Sequence, residues 1–270
     1  MKKTLSSYKL HLQKNNVSFN TIRGYLSDLN KLVEWYQDTK GFAPSVTGIN
    51  PHDIIGFKRH LKNINQKPAT INRVLRALSS YFKFAIGPGH NLMGGVKSLK
   101  IAKVTPKVLT LEEQQDLMRA VYDSKNSRDI VIVTLLLRTG LRVEEFSALK
   151  VSDVYFRGES GYITVDRRRK VSFDSEVWDV LKNWVAGKND SEPLFPSQKG
   201  GCLTARGIRI LVEKYTQEAG LEGVTPHVLQ LAFCKSLLDA GVPPDKVAAI
   251  VGYKNIDTVE KYINLVQENS

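Results

Sequence analysis

Cysteine is scarce in this 270-residue sequence: Cys202 and Cys234 are the only two, with no CxxC pair. Neither a disulfide framework nor a structural zinc site is therefore expected. Long apolar runs are missing as well. The longest strongly apolar stretch, Ile130 to Leu137, is too short to cross a bilayer and reads as a buried helix. The start, Met1 to Leu5, is basic, but Lys9, His11 and Lys14 interrupt the residues after it, so no signal-peptide apolar core forms. A cytoplasmic protein without membrane attachment is the expectation. The other shortage is of negative charge, with 27 Asp and Glu against 39 Lys and Arg, a formal charge of +12 and a pI near 9.6. Such an excess favours a polyanionic partner, because cations that neutralise phosphates release condensed counterions. With 42% hydrophobic and 24% charged residues, a chain of this length can bury two cores, and two domains are expected.

What is present begins with helices. Ile22, Tyr25, Leu26, Leu29, Leu32, Val33 and Tyr36 recur at intervals of three and four, one stripe of a helix over Asn20 to Tyr36. Ile71, Val74, Leu75, Leu78, Tyr81 and Phe82 mark another over Ala69 to Ala85. Its opposite face carries Arg73, Arg76, Ser80 and Lys83, either a solvated face or one that lies along a phosphate backbone. Shorter helical stretches near Leu5 to Leu12 and Asp53 to Leu61 complete an all-helical first domain, residues 1–87. From Gly87 to Gly95 helix breakers cluster, and Lys97, Lys100, Lys103 and Pro106 come next without periodicity. Residues 88–107 read as a basic linker.

The remainder, 108–270, mixes helices with a small antiparallel sheet, so the chain as a whole is mainly α with an α+β second domain. Thr110 and Glu113 form a capping-box pattern. Ile130 to Arg138 is apolar on nearly all sides and is stopped by Gly140, and Val143 to Leu149 is a short helix. Gly161 to Asp166 and Lys170 to Phe173 look like two strands, with Arg167, Arg168 and Arg169 at the bend. Three adjacent cations repel one another, which an opposing anion would relieve. Further helices are expected at Ser175 to Ala186, Thr204 to Ala219, Pro226 to Ala240 and Asp245 to Val251. Thr225 would cap the third of these, with Pro226 at its first position. His227 then lies in a helical first turn, where unsatisfied N–H groups favour an anion.

Three segments in order carry a resemblance: Thr139, Gly140, Arg142, Glu145, Leu149 and Asp153; then Thr225 to Phe233 with His227; then Gly252 and Tyr253, with Tyr262 nine residues beyond. Their motifs and spacing resemble the tyrosine recombinase (phage integrase-like) family, in its Xer-like branch, over the whole chain. The resemblance implies a SAM-like core-binding domain followed by a catalytic domain, the two closing on duplex DNA as a clamp. It also implies metal-free transesterification without a cofactor: Tyr262 attacks the scissile phosphate, a 3′-phosphotyrosyl link forms and the 5′-hydroxyl leaves. Four such sites would act in a tetramer on DNA. Arg142 matches the family's first arginine, Glu145 would orient its neighbours, and His227 would accept a proton or hold a phosphate oxygen. Arg73, Arg76, Lys83, Lys103, Arg167, Arg168 and Arg169 are the candidate DNA contacts.

The pattern is broken in places. Gln230 and Leu231 stand where the family has an arginine, usually followed by histidine, and Tyr253 stands where it has His or Trp. Glutamine still donates a hydrogen bond, but removal of one oxyanion contact typically costs about 2.7 to 4 kcal/mol of barrier. The hairpin lysine of the family has only Lys170 as its counterpart here. Two expectations result: a recombinase with altered chemistry, or a non-cleaving DNA-binding relative that partners a competent recombinase.

Overall fold

Why helices dominate is visible in their ends as much as in their stripes. The computed structural model describes residues 2–87, 92–101, 107–166, 168–198, 200–253 and 259. The chain divides into two compact units, Met1–Lys103 and Val104–Ser270.

In the first unit, α1 (Lys2–Lys14), α2 (Phe19–Lys40), α3 (Pro51–Asn63) and α4 (Pro68–Ile86) follow the periodicity of their sequences. Asn50 accepts from the backbone of His52 and Asp53, and Asp53 returns a bond to the Asn50 N–H. This reciprocal cap, with Pro51 behind it, fixes where α3 starts. The α4 stripe of Ile71, Val74, Leu75, Leu78, Tyr81 and Phe82 is buried with Leu29 and Leu32 of α2 and Phe57 of α3. Asp28 of α2 is fully buried and receives both terminal nitrogens of Arg73 from α4. Burial pushes the Asp28 carboxyl up, while Arg73 and then Lys31 pull it down. Within the stretch read as linker, Leu92, Met93, Val96 and Leu99 pack on this core. The Asn72 amide bonds both backbone groups of Leu99, at 2.9 and 2.8 Å. The extended backbone there is satisfied by a side chain in place of a neighbouring strand.

The second unit is built around α6 (Ser127–Thr139), buried on almost every side from Val131 to Leu137. It packs against α5 (Leu111–Asp123), α8 (Ser175–Val185) and α10 (Pro226–Asp239), and α9 (Ala205–Glu218) joins α5 and α7. The capping box of Thr110 and Glu113 is present at the start of α5. Helix α7 is shorter than its sequence pattern, Val143–Phe146, and a 3-10 turn at Val151–Asp153 comes after it. The sheet has three antiparallel strands in the order β1 (Val154–Arg157), β2 (Ser160–Val165) and β3 (Arg169–Phe173). Strand β1 is additional to the two expected. Its residues are largely exposed, so it lacks the apolar alternation that betrays a strand. Helix α11 (Pro244–Val251) packs on α10 through Val247, Val251 and Cys234. Thr225 occupies the N-cap position of α10, but its side chain makes no capping bond. No helix among the described residues is long and apolar enough to cross a membrane.

Candidate active site

The candidate site forms where four helix ends meet, those of α6, α7, α10 and α11. Gly140 ends α6 in the left-handed conformation, with φ 61°. A β-carbon there would lie 2.5 Å from the Phe233 ring, so only glycine lets the chain turn and approach α10 so closely. The turn delivers Arg142 to the start of α7. Glu145 holds that turn by accepting from the Arg142 backbone N–H at 2.9 Å. The same carboxylate lies 3.7 Å from an Arg142 guanidinium nitrogen and only 2.6 Å from Arg169 of β3.

Gly252 caps α11 with φ 77°. Its carbonyl accepts from the Arg142 guanidinium, and the Ile250 carbonyl accepts from Arg169. Two of the carbonyls that a helix end leaves without partners are thus bonded to arginines. Tyr253 is next, its ring centroid 5.6 Å from the Arg142 guanidinium carbon. The Arg142 side chain remains 37% exposed and lines a cleft of about 1050 Å³ with His227, Gln230, Tyr253, Glu144 and Arg209.

Gln230 is buried in α10 beneath this cleft. Its amide nitrogen donates to the Gly140 carbonyl at 2.8 Å, which fixes the orientation of the amide. The amide oxygen therefore faces Tyr253, whose hydroxyl donates at 3.3 Å, and His227 Nδ1, also at 3.3 Å. An amide oxygen only accepts, so the proton of this contact is on Nδ1. His227 is exposed on the first turn of α10, as its place after Pro226 requires.

Arg142, Glu145, His227, Gln230 and Tyr253 are thus brought together. Lys170 is not: its ammonium lies 4.5 Å above the Tyr162 ring on the exposed side of the sheet. Strand alternation explains the correction. Arg169, Val171 and Phe173 share the inner face of β3, whereas Lys170 and Ser172 point outward. Arg169, read from sequence as a DNA contact, is instead bonded to Glu145 and Ile250. The signal for it was present, since the apolar pair Val171 and Phe173 fixes which parity of β3 faces inward. Arg168 is exposed. In the first unit, Arg73 is paired with Asp28, while Arg76 and Lys83 are exposed on α4. Tyr262, Lys103 and Arg167 lie outside the described residues. Among the described residues no group of three or more His, Cys, Asp or Glu is placed to hold a metal ion.

Comparison with known proteins gives the family and the fold. Residues 5–89 match the model of the phage integrase N-terminal SAM-like domain, and residues 107–269 match that of the phage integrase family. The tyrosine recombinase XerC of Roseiflexus castenholzii is 29% identical, covering 100% of this chain and 91% of its own. The tyrosine recombinase XerA of Pyrococcus furiosus is also 29% identical, covering 98% of this chain and 90% of its own. Among solved structures, the XerH site-specific recombinase in a post-cleavage complex with palindromic difH substrate superposes with a TM-score of 0.76. It is 21% identical and covers 97% of this chain and 82% of that one. With a family model spanning the unit that carries Arg142, His227 and Tyr253, and a second over the helical unit before it, this chain belongs to the phage integrase family of tyrosine recombinases.

Proposed function

We propose that the protein is a site-specific DNA recombinase-like protein that cuts and rejoins strands through Tyr262, with slowed chemistry. The observation that carries this reading is the convergence of Arg142 and His227 on one open cleft. The reaction is a metal-free transesterification. Tyr262 Oη bonds to the scissile phosphorus and gives its proton to a base, the bond to the 5′ oxygen breaks with its electron pair on that oxygen, and the oxygen takes up one proton, in net terms the one Tyr262 lost, to leave as a hydroxyl. Charge grows on the equatorial oxygens, so Arg142 contributes more to the transition state than to the bound diester. His227, placed in this cleft by the first turn of α10, is the residue that accepts a proton or donates to a phosphate oxygen. The similar XerH has its difH substrate bound, which supports duplex DNA as the partner here. In the same reading residues 1–87 present Arg76 and Lys83 of α4 to the major groove, 88–107 is the basic connection, and 108–270 holds the scissile phosphate. Four chains assemble on nucleoid DNA in the cytoplasm, and a second recombinase can join the assembly.

One observation favours a non-cleaving accessory role: the Gln230 amide nitrogen is directed at Gly140 O. Toward Tyr253 Oη and His227 Nδ1, Gln230 turns its amide oxygen, an acceptor, and a cation that the family's pattern has at this position is replaced by a neutral amide. A loss of about a hundredfold to a thousandfold in rate is expected from one absent oxyanion contact. A duplex nicked beside the cleavage point, so that cutting becomes irreversible, tests both. A covalent protein–DNA adduct that disappears in Tyr262→Phe establishes cleavage, whereas salt-dependent binding with no adduct establishes the accessory role.

A further inference from the structure

Arg169 is a charged group of this cluster to which the reaction gives no step. Arg169 stands on the inner face of β3, with its side chain only 17% exposed. One terminal nitrogen donates to Glu145 Oε2 at 2.6 Å and the other to the carbonyl of Ile250 at the end of α11. The next turn is closed around it: a β-carbon on Gly252 would lie 3.0 Å from Arg169 Nε, with φ 77° forbidding it independently. Glu145 binds the backbone N–H of Arg142 at 2.9 Å, and the Arg142 guanidinium binds the Gly252 carbonyl. A closed circuit results, running from Arg169 to Glu145, to Arg142, to Gly252 and back through the end of α11. It joins three elements remote in sequence, and Arg169 alone bonds two of them from the third.

We propose that Arg169 is a positioning residue, a planar fork that locks α7 to the end of α11 and thereby sets Arg142 against Tyr253 for a phosphodiester oxygen. A fork suits this task because its nitrogens diverge in one plane at fixed angles, whereas a lysine ammonium presents a single mobile point. Glu145 is shared by two arginines, so the circuit carries more cation than anion. Arg169 takes the shorter contact with the carboxylate, 2.6 against 3.7 Å, and Arg142 is the cation left to meet an anion in the cleft. The inference rests on the reading that Arg142 binds a DNA phosphate.

The test is a double-mutant cycle on the full chain, with duplex affinity at fixed salt as the readout and melting temperature as the control for folding. In the wild-type background, Arg142→Ala is expected to weaken duplex binding about tenfold. In the Arg169→Lys and Arg169→Gln backgrounds the same change is expected to cost less than about twofold, because Arg142 is no longer held where it binds. A residue that merely stabilised the unit would leave the tenfold effect intact, and that additivity overturns the proposal. Loss of the folded state in both Arg169 variants also overturns it, since Arg169 is then structural. Absence of salt-dependent duplex binding by the wild type is a separate result, which removes the functional reading beneath the proposal.

Discussion

The two units each bury an arginine–carboxylate contact, and they treat it in opposite ways. In the first, Asp28 has no exposure and takes both terminal nitrogens of Arg73, with the Lys31 ammonium a looser second contact at 3.7 Å, so Arg73 is bound by a carboxylate given over to it. In the second, a single carboxylate, Glu145, answers both Arg142 and Arg169, and the surplus cation lies at the edge of an open cleft. The first arrangement ties α2 to α4. The second leaves positive charge whose remaining partners are a carbonyl and an aromatic ring, both weaker than a phosphate. A bound anion can therefore take up Arg142 without leaving a buried charge alone, whereas drawing Arg73 away would leave the buried Asp28 with only the longer Lys31 contact.

Substitutions on either side put this contrast at risk. Arg142→Ala should have the greatest consequence, slowing adduct formation on a nicked duplex by about a hundredfold to a thousandfold while leaving the melting temperature nearly unchanged. Arg73→Ala should do the reverse. It leaves the buried Asp28 with only the longer Lys31 contact at 3.7 Å, so urea denaturation should show a loss of about 3 kcal/mol, with the salt dependence of DNA binding unaltered; a shallower salt slope would make Arg73 a phosphate contact after all. Gly140→Ala should cost the second unit about 2 to 3 kcal/mol in the same denaturation experiment, from left-handed strain and the clash with Phe233. Capping gives a smaller difference: Thr110→Ala should cost about 1 kcal/mol and Thr225→Ala only a few tenths, since just one of them caps its helix. The mildest probe is thiol labelling. Burial pushes the Cys234 thiol up to about 12, so at pH 8 the native protein should titrate one thiol, Cys202, and expose the second only on unfolding.

Much of the fold was legible because local rules acted alone. The stripes of α2 and α4, the capping box at Thr110 and the stop at Gly140 each depend on residues within a turn or two of one another. Strand β1 escaped because Tyr155 and Phe156 are both exposed, leaving no alternation to read. Helix α7 stopped early where the chain pairs with a segment distant in sequence, Leu149 accepting from the Leu194 N–H and Lys150 bridging Pro193. Within the site, the motif spacing named Arg142, Glu145, His227 and Tyr253, whereas the choice between Arg169 and Lys170 depended on the parity of one strand.

Composition, periodicity and short motifs were enough to name the family and the division into a helical and a mixed region, because each of these is written in neighbouring letters of the chain. Three-dimensional packing was needed to establish that Gln230 turns its amide nitrogen toward Gly140, that Arg169 and not Lys170 reaches Glu145, and that Arg73 is engaged with Asp28. Hydrogen-bonding capacity belongs to a side chain, but its direction is set by whichever groups from distant elements arrive within reach. No local pattern encodes that arrival.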